Sequence, residues 1–240
     1  PVVCVQHRSL ELFSPFLSLM RSAKAPTKLT MYSSKICGGA QGGILVTDGS
    51  MLTLRQVHVA GNAACGLELR EDGAADVENC RFYDNGRQGI MIWMSAGKLT
   101  AKHCWLHSNT LESGALVSEG EADFESCEFY GNGAAGVVAQ QKGRMYLTKC
   151  HIHDNHDGIL IQDTGSAVIA ECEVYKNRAN GIFVGYDHLG HARITRCHVH
   201  SNFSVGVLIG NKRQSLLVTG NTEHDNKGFP SRMPNFMLQR

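Results

Sequence analysis

The feature that most constrains this chain is a repeat. A glycine followed by an alternating apolar pair recurs at Gly43, Gly66, Gly89, Gly114, Gly136, Gly158, Gly181 and Gly206, at spacings of 23, 23, 25, 22, 22, 23 and 25 residues. An asparagine returns late in each unit, at Asn62, Asn85, Asn109, Asn132, Asn155, Asn177, Asn202 and Asn226. Five residues before it stands a cysteine in six consecutive units: Cys80, Cys104, Cys127, Cys150, Cys172 and Cys197. Val57 holds that place in the first unit and Asn221 in the last.

Inside a unit the apolar period is 2, the period of a strand. The first and third residues after the glycine are apolar (Ile44/Val46, Ile90/Ile92, Ile159/Ile161). A middle strand follows, as in LTLRQV at 52–57, and a third reads CRFYDN or CEVYKN. Three short strands without a helix cannot bury their apolar face within one unit, so units must stack. The Leu-x-x-Leu-x-Leu frame of leucine-rich repeats and the helical stretch of alternating βα units are both absent. The fold class predicted is all-β: a parallel β-helix of about eight coils, right-handed because the hexapeptide period of left-handed helices is missing. At a strand spacing of about 4.8 Å, the rod is roughly 40 Å long.

Each column then acquires an expected role. The asparagines are expected to bond turn backbone and the amides of neighbouring coils. The glycines are expected to supply an unusual φ at a corner. The cysteines share parity with the inward apolar residues, so a reduced, inward thiol ladder is expected, which suits a cytoplasmic or nuclear compartment. Open coil ends are sheet edges that need cover. Residues 9–22, with Ser14-Pro15 as cap and first helical position, suggest a short N-terminal helical cap. Residues 229–240, with Phe229, Met233, Phe236 and Met237, suggest a C-terminal plug. The expected organisation is 1–42 as cap and first partial coil, 43–228 as repeats, and 229–240 as tail. The start at Pro1 rather than Met reads as a fragment or processed form.

Charge narrows the partners. With 23 Lys+Arg against 22 Asp+Glu, the chain lacks the basic footprint of a nucleic-acid or anionic-membrane binder. No apolar run approaches the roughly 18 residues of a membrane span.

The repeats resemble the right-handed β-helical family of carbohydrate-binding proteins and sugar hydrolases. The resemblance rests on N-x-x-x-G-[IVL]-x-[VIL] followed by C-x-[FIV]-[YH]-x-N over about residues 43–226. Among members, the units look most like the β-helical modules of F-box ubiquitin-ligase receptors and related adaptors, which implies a protein-binding role. Other members are lyases, epimerases and hydrolases of polysaccharides. No F-box-like segment is present in these residues.

Several side-chain sets carry candidate chemistry. The second residue after each glycine should face outward, yet reads Leu45, Glu68, Met91, Leu116, Val138, Leu160, Phe183 and Leu208. A contiguous apolar strip of this kind marks an interaction surface. The next outward column, Thr47, Arg70, Trp93, Ser118, Gln140 and Gln162, would rim it with polar groups and one tryptophan anchor. The expected site is therefore a partner-binding face of Leu45, Met91, Trp93, Leu116, Val138, Leu160, Phe183 and Leu208. The expected partner is a protein or larger assembly, with a glycan on the same face as the alternative, and no cofactor, metal or catalytic residue is assigned. An enzymatic alternative would draw on an acidic column, Asp48, Glu71, Glu119 and Asp163, interrupted by Met94 and Gln141, with Arg70 beside Asp48 and Glu71. It could also draw on Tyr186-Asp187-His188 with His191. Near-uniform coil length leaves no long loop for cleft walls. The histidines of 151–157 and the Tyr/His column Tyr83, His107, Tyr130, His153, Tyr175, His200, His224 read as an outward stripe rather than a metal site, since zinc needs convergent ligands.

Overall fold

The computed structural model describes residues 27–94, 97–210 and 216–228, and the backbone of the strands Val2–Gln6, Glu11–Phe13 and Leu17–Leu19. Each coil runs through three strands. A strand of three or four residues follows the repeat glycine (Ile90–Ile92, for example), a longer one comes next (Lys98–Lys102), and a third follows the cysteine position (Trp105–His107). Every strand pairs in parallel with its copy one coil on, so Met91 lies between Glu68 and Leu116, and Ala101 between Val77 and Phe124. Three sheets result: a glycine sheet of nine strands, a long sheet of ten and a cysteine sheet of ten. Among the described residues there is no helix.

The N-terminal segment departs from the expected helical cap. Glu11–Phe13 and Leu17–Leu19 are strands, pairing with Lys35–Cys37 and Ile44–Val46, and Val2–Gln6 pairs with Lys28–Tyr32. Leu17-Ser18-Leu19 has the period-2 alternation of Ile44-Leu45-Val46, so it joins the ladder as a further strand. The rest of residues 9–22 and the plug assigned to 229–240 lie outside the described residues.

One or two inward side chains per strand fill the interior, with Phe82, Phe124 and Phe129 among the largest fully buried groups. Phe124 and Phe129 meet edge to face, 5.2 Å between centroids. On the last coil the inward position that follows Val199 is Glu223. Its carboxyl accepts the Val207 N–H at 3.1 Å, and burial pushes its pKa up.

The corners follow a different rule from the one expected. The repeat glycines do not take positive φ; that geometry falls on three columns made mostly of other residues. One precedes the cysteine position (His103 at 51°, Lys149 at 55°), one precedes the asparagine (Asp84 at 54°), and one follows the glycine-sheet strand (Asp48 at 55°, Met94 at 57°). The glycines are required by close approach instead. A Cβ on Gly136 would stand 2.6 Å from Ile152 Cγ2 and 2.7 Å from the Gly158 carbonyl oxygen. The asparagines do what the sequence suggests: Asn132 Oδ1 accepts from the Asn109 backbone N–H and Nδ2, while Asn132 Nδ2 donates to Leu106 O and Asn155 Oδ1.

Candidate functional site

The expected apolar row exists on the glycine sheet, with Leu45, Glu68, Met91, Leu116, Val138, Leu160, Phe183 and Leu208 as successive Cα partners. Its exposure is lower than an outward position suggests. Val138 is buried at 6% and the others, with Trp93, are half-buried. Side chains stacked in parallel rows about 4.8 Å apart shield one another's flanks. Glu68 interrupts the row and organises its neighbours: it accepts from Trp93 Nε1 and pairs with Arg70 at 2.5 Å, and the Arg70 guanidinium stacks on the Trp93 ring, 4.6 Å from its centroid. Arg70 is thus committed to Glu68 rather than to Asp48 and Glu71.

The acidic column is a turn. Asp48, Glu71, Met94, Glu119, Gln141 and Asp163 all adopt φ between 46° and 59°, a region where Asp and Asn are favoured over most side chains. Their spacing is the spacing of coils, one per turn. The Tyr186-Asp187-His188 set is dispersed as well. His188 is buried at 1% exposure and its Nε2–H donates to the Gly165 carbonyl at 2.8 Å, whereas Tyr186 is 70% exposed and packs edge-on against Phe183. His191 lies elsewhere, just before the long-sheet strand Ala192–Thr195.

There the surface is concave. A cavity of about 530 Å³ is lined by Arg144, Met145, Tyr146, Ser166, Ala167, Val168, His191, Ala192, Arg193, Leu216 and Leu217. The outward positions of this sheet are polar and charged in early coils, where Arg55 pairs with Asp76 at 2.6 Å and with Glu78 at 3.2 Å, and Lys102 pairs with Glu125 at 2.7 Å. The column of Thr53, Asp76, Thr100 and Asp123 changes beyond Asp123 to Tyr146, Val168, Arg193 and Leu217 in register. The lining therefore holds two guanidiniums, an imidazole, a phenol and a hydroxyl, and no carboxylate. Neither Arg144 nor Arg193 has an ion-pair partner among the described residues, and Tyr146, Val168 and Leu217 are 36%, 37% and 41% exposed. Such a lining offers cationic forks to an anion beside an apolar floor. In the sequence this column is marked only by the loss of acids after Asp123, a weaker signal than the recurring apolar row of the glycine face.

The family model for a right-handed β-helix region matches residues 18–122 and 99–230. The chain belongs to the right-handed β-helix family. Among solved structures it is similar to the A-module of the mannuronan C-5 epimerase AlgE6 of Azotobacter vinelandii, with 17% identity, a TM-score of 0.70, and 92% of this chain and 68% of that one covered. Pectate lyase Pel9A gives 13% identity and a TM-score of 0.65 over the same shares. A tailspike capsular polysaccharide depolymerase from an Acinetobacter baumannii bacteriophage gives 15% and 0.58, over 82% of this chain and 40% of its own. At these identities the likeness is one of fold. No curated protein sequence matches the chain.

Two further ladders run along this β-helix. The Tyr/His column is a stack of half-buried rings: Tyr83, His107, Tyr130, His153, Tyr175 and His200 lie 4.6–5.3 Å apart with interplanar angles of 3–16°. Inside, the ladder cysteines are buried and free. Each thiol donates to a carbonyl two residues back, as Cys172 Sγ does to Ala170 O at 3.3 Å. The hydrogen bond to Cys150, with burial, pushes the Cys172 thiol up to about 12, and burial beside Glu68 pushes Cys65 to about 11. Cys104 and Cys150 shift down instead, because each accepts hydrogen bonds from the thiols on either side of it in the ladder. All six ladder thiols are buried, and that enclosure makes them packing groups rather than accessible nucleophiles.

Proposed function

We propose that this β-helix binds an acidic polysaccharide on its long sheet, with Arg144 and Arg193 holding sugar carboxylates and Tyr146 and Val168 carrying a pyranose face. The observation that carries the reading is the concavity itself, cationic and apolar in a rod of nearly balanced charge. Its volume falls in the range of ligand sites, about 300–1,000 Å³. The resemblance of fold to proteins titled as mannuronan epimerase, pectate lyase and capsular polysaccharide depolymerase supports the same substrate class.

The test is binding of the chain to polygalacturonate and alginate oligomers beside a neutral glucan, with product analysis of the same mixtures to read chain cleavage or epimerisation. Two charge-assisted contacts of about 1.5–3 kcal/mol each, discounted for exposure, set the scale. Arg144→Glu with Arg193→Glu should weaken uronate binding at least about tenfold. Equal affinity for the neutral glucan, or an unchanged affinity in the double variant, overturns the reading.

A specific observation favours a second reading: the in-register apolar row Leu116, Val138, Leu160, Phe183 and Leu208 fits a protein partner. That is the role implied by the resemblance to F-box receptor modules, and the reduced thiol ladder goes with the reducing compartment where such a partner would be met. Under it, Leu160→Asp with Phe183→Asp removes binding to a protein while the arginine variant does not.

A further inference from the structure

We propose that Glu173, His198, His200 and His224 form a binding site for a divalent transition ion of the zinc class, on the cysteine sheet near the end of the rod. His198 and His200 project from one strand, His198–His200, and the next strand, Thr222–His224, places His224 beside His200 as its Cα partner. Glu173 is the Cα partner of His198 one coil earlier. Register alone thus gathers three imidazoles and a carboxylate from three consecutive coils. The three ring centroids stand 4.7–4.9 Å apart. His198 Nε2 is 2.7 Å from His224 Nε2, and His200 Nε2 is 3.2 Å from Glu173 Oε1. Donor atoms of Glu173, His198 and His200 lie within 4.8 Å of one another.

Two features turn this cluster toward a metal. First, the outer nitrogens are held by other groups: Asp225 Oδ2 lies 2.8 Å from His224 Nδ1, and Ser201 Oγ 3.1 Å from His200 Nδ1. A carboxylate on the remote nitrogen leaves the Nε2 lone pair for a ligand, the arrangement that orients metal-bound histidines. Second, the 2.7 Å contact between two ring nitrogens needs a proton between them, and a metal can take that proton's place. With bonds of 2.0–2.1 Å, a tetrahedral ion sets its donors about 3.3 Å apart. His198 and His224 are exposed side chains, so small ring rotations open the pair to that separation. Three imidazoles and one carboxylate suit zinc or its first-row neighbours and disfavour the all-oxygen shells of calcium and magnesium. Of the histidines at 151–157, His151 touches the rim of the cluster, its Nδ1 3.1 Å from the second oxygen of Glu173, Oε2, and the other two are engaged elsewhere. His153 is taken up by Glu128 and Asp154, and His156 by Asp157.

Titration of the full chain with zinc, followed by calorimetry and by the visible spectrum of the cobalt form, tests the site. One ion should bind per chain with a Kd below about 10 µM and give the intense visible absorption of four-coordinate cobalt, while magnesium and calcium do not compete. His198→Asn and His224→Asn should each weaken binding about a hundredfold and Asp225→Asn about tenfold, with His156→Asn without effect. His224→Cys, which supplies a thiolate, should restore binding and separates loss of a ligand from loss of the coil. The proposal fails if the chain takes up no zinc at 100-fold excess over that Kd, or if zinc binds unchanged in the His198→Asn/His224→Asn double variant.

Discussion

Replacing Asn132 by alanine isolates what the buried asparagine column contributes. Its side chain is 1% exposed and takes part in four hydrogen bonds of 2.9–3.2 Å: it accepts from the Asn109 backbone N–H and Nδ2 and donates to Leu106 O and Asn155 Oδ1. Each is worth about 1 kcal/mol net, and stranding the buried Asn109 N–H adds to the loss, so the variant should be less stable by about 4 kcal/mol. The same change at Asn226, on the last coil, removes acceptors for the Asn202 N–H and Nδ2 and a donor to Val199 O. That residue is half-buried and water can replace what is lost there, so the cost should be about 1–2 kcal/mol. Asn132→Asp should be worse than alanine, because a carboxylate would point acceptors at Leu106 O and Asn155 Oδ1 in a dry interior. Equilibrium urea unfolding, followed by far-UV circular dichroism, gives the midpoints, and unchanged slopes would show that the denatured state is not involved. A cost below about 1 kcal/mol for Asn132→Ala, or equality of the two positions, would refute the view that the column holds the turns together.

Stability should also respond to pH through the stacked rings. Burial between Tyr83 and Tyr130 holds the His107 pKa below its usual value. The unfolded chain therefore binds the proton first, and stability falls as pH drops through about 6.5, levelling off below the folded pKa. His107→Phe keeps a ring in the stack and should reduce the loss between pH 7 and pH 5; an unchanged pH profile would refute the assignment. At the corner before Cys150, Lys149 is an exposed residue at φ 55°. Lys149→Gly should stabilise the chain by about 1 kcal/mol, because the left-handed region costs most L-residues about that much. A lower urea midpoint would mean that the lysine side chain makes up for its own strain.

The fold was legible because it is written eight times. Period-2 alternation, the Cys and Asn columns and the near-constant spacing all require the same stacked coil, and parallel register then follows for every strand. The repeat glycines were legible as necessary but not for the expected reason. Sequence shows that a side chain is excluded at Gly136, while only the coil below, with Ile152 and the Gly158 carbonyl in the way, shows that the cause is space rather than φ. The N-terminal strands failed to read as a coil because that stretch lacks the repeat's Asn and Cys landmarks, leaving Ser14-Pro15 to suggest a helix start.

The site was harder to read for a related reason. A repeat makes conspicuous what recurs, and the apolar row on the glycine sheet recurs in seven units. Sites on a solenoid arise where a column stops obeying its rule. On the long sheet the outward column that holds Asp76 and Asp123 turns to Tyr146, Val168, Arg193 and Leu217, and the concavity begins there. The cysteine sheet's outward positions hold a His–carboxylate pair at His153 with Glu128, then Glu173 is shared by His151 and His200, and His198, His200 and His224 put three rings within 5 Å. Both changes fall in the second half of the repeats, and both take a register known to the residue to see, since neighbours in space are 22–25 positions apart in sequence. One-coil register is what turns a break in pattern into a cluster. The residues most informative about function in this chain are therefore those that depart from the consensus of their own repeat.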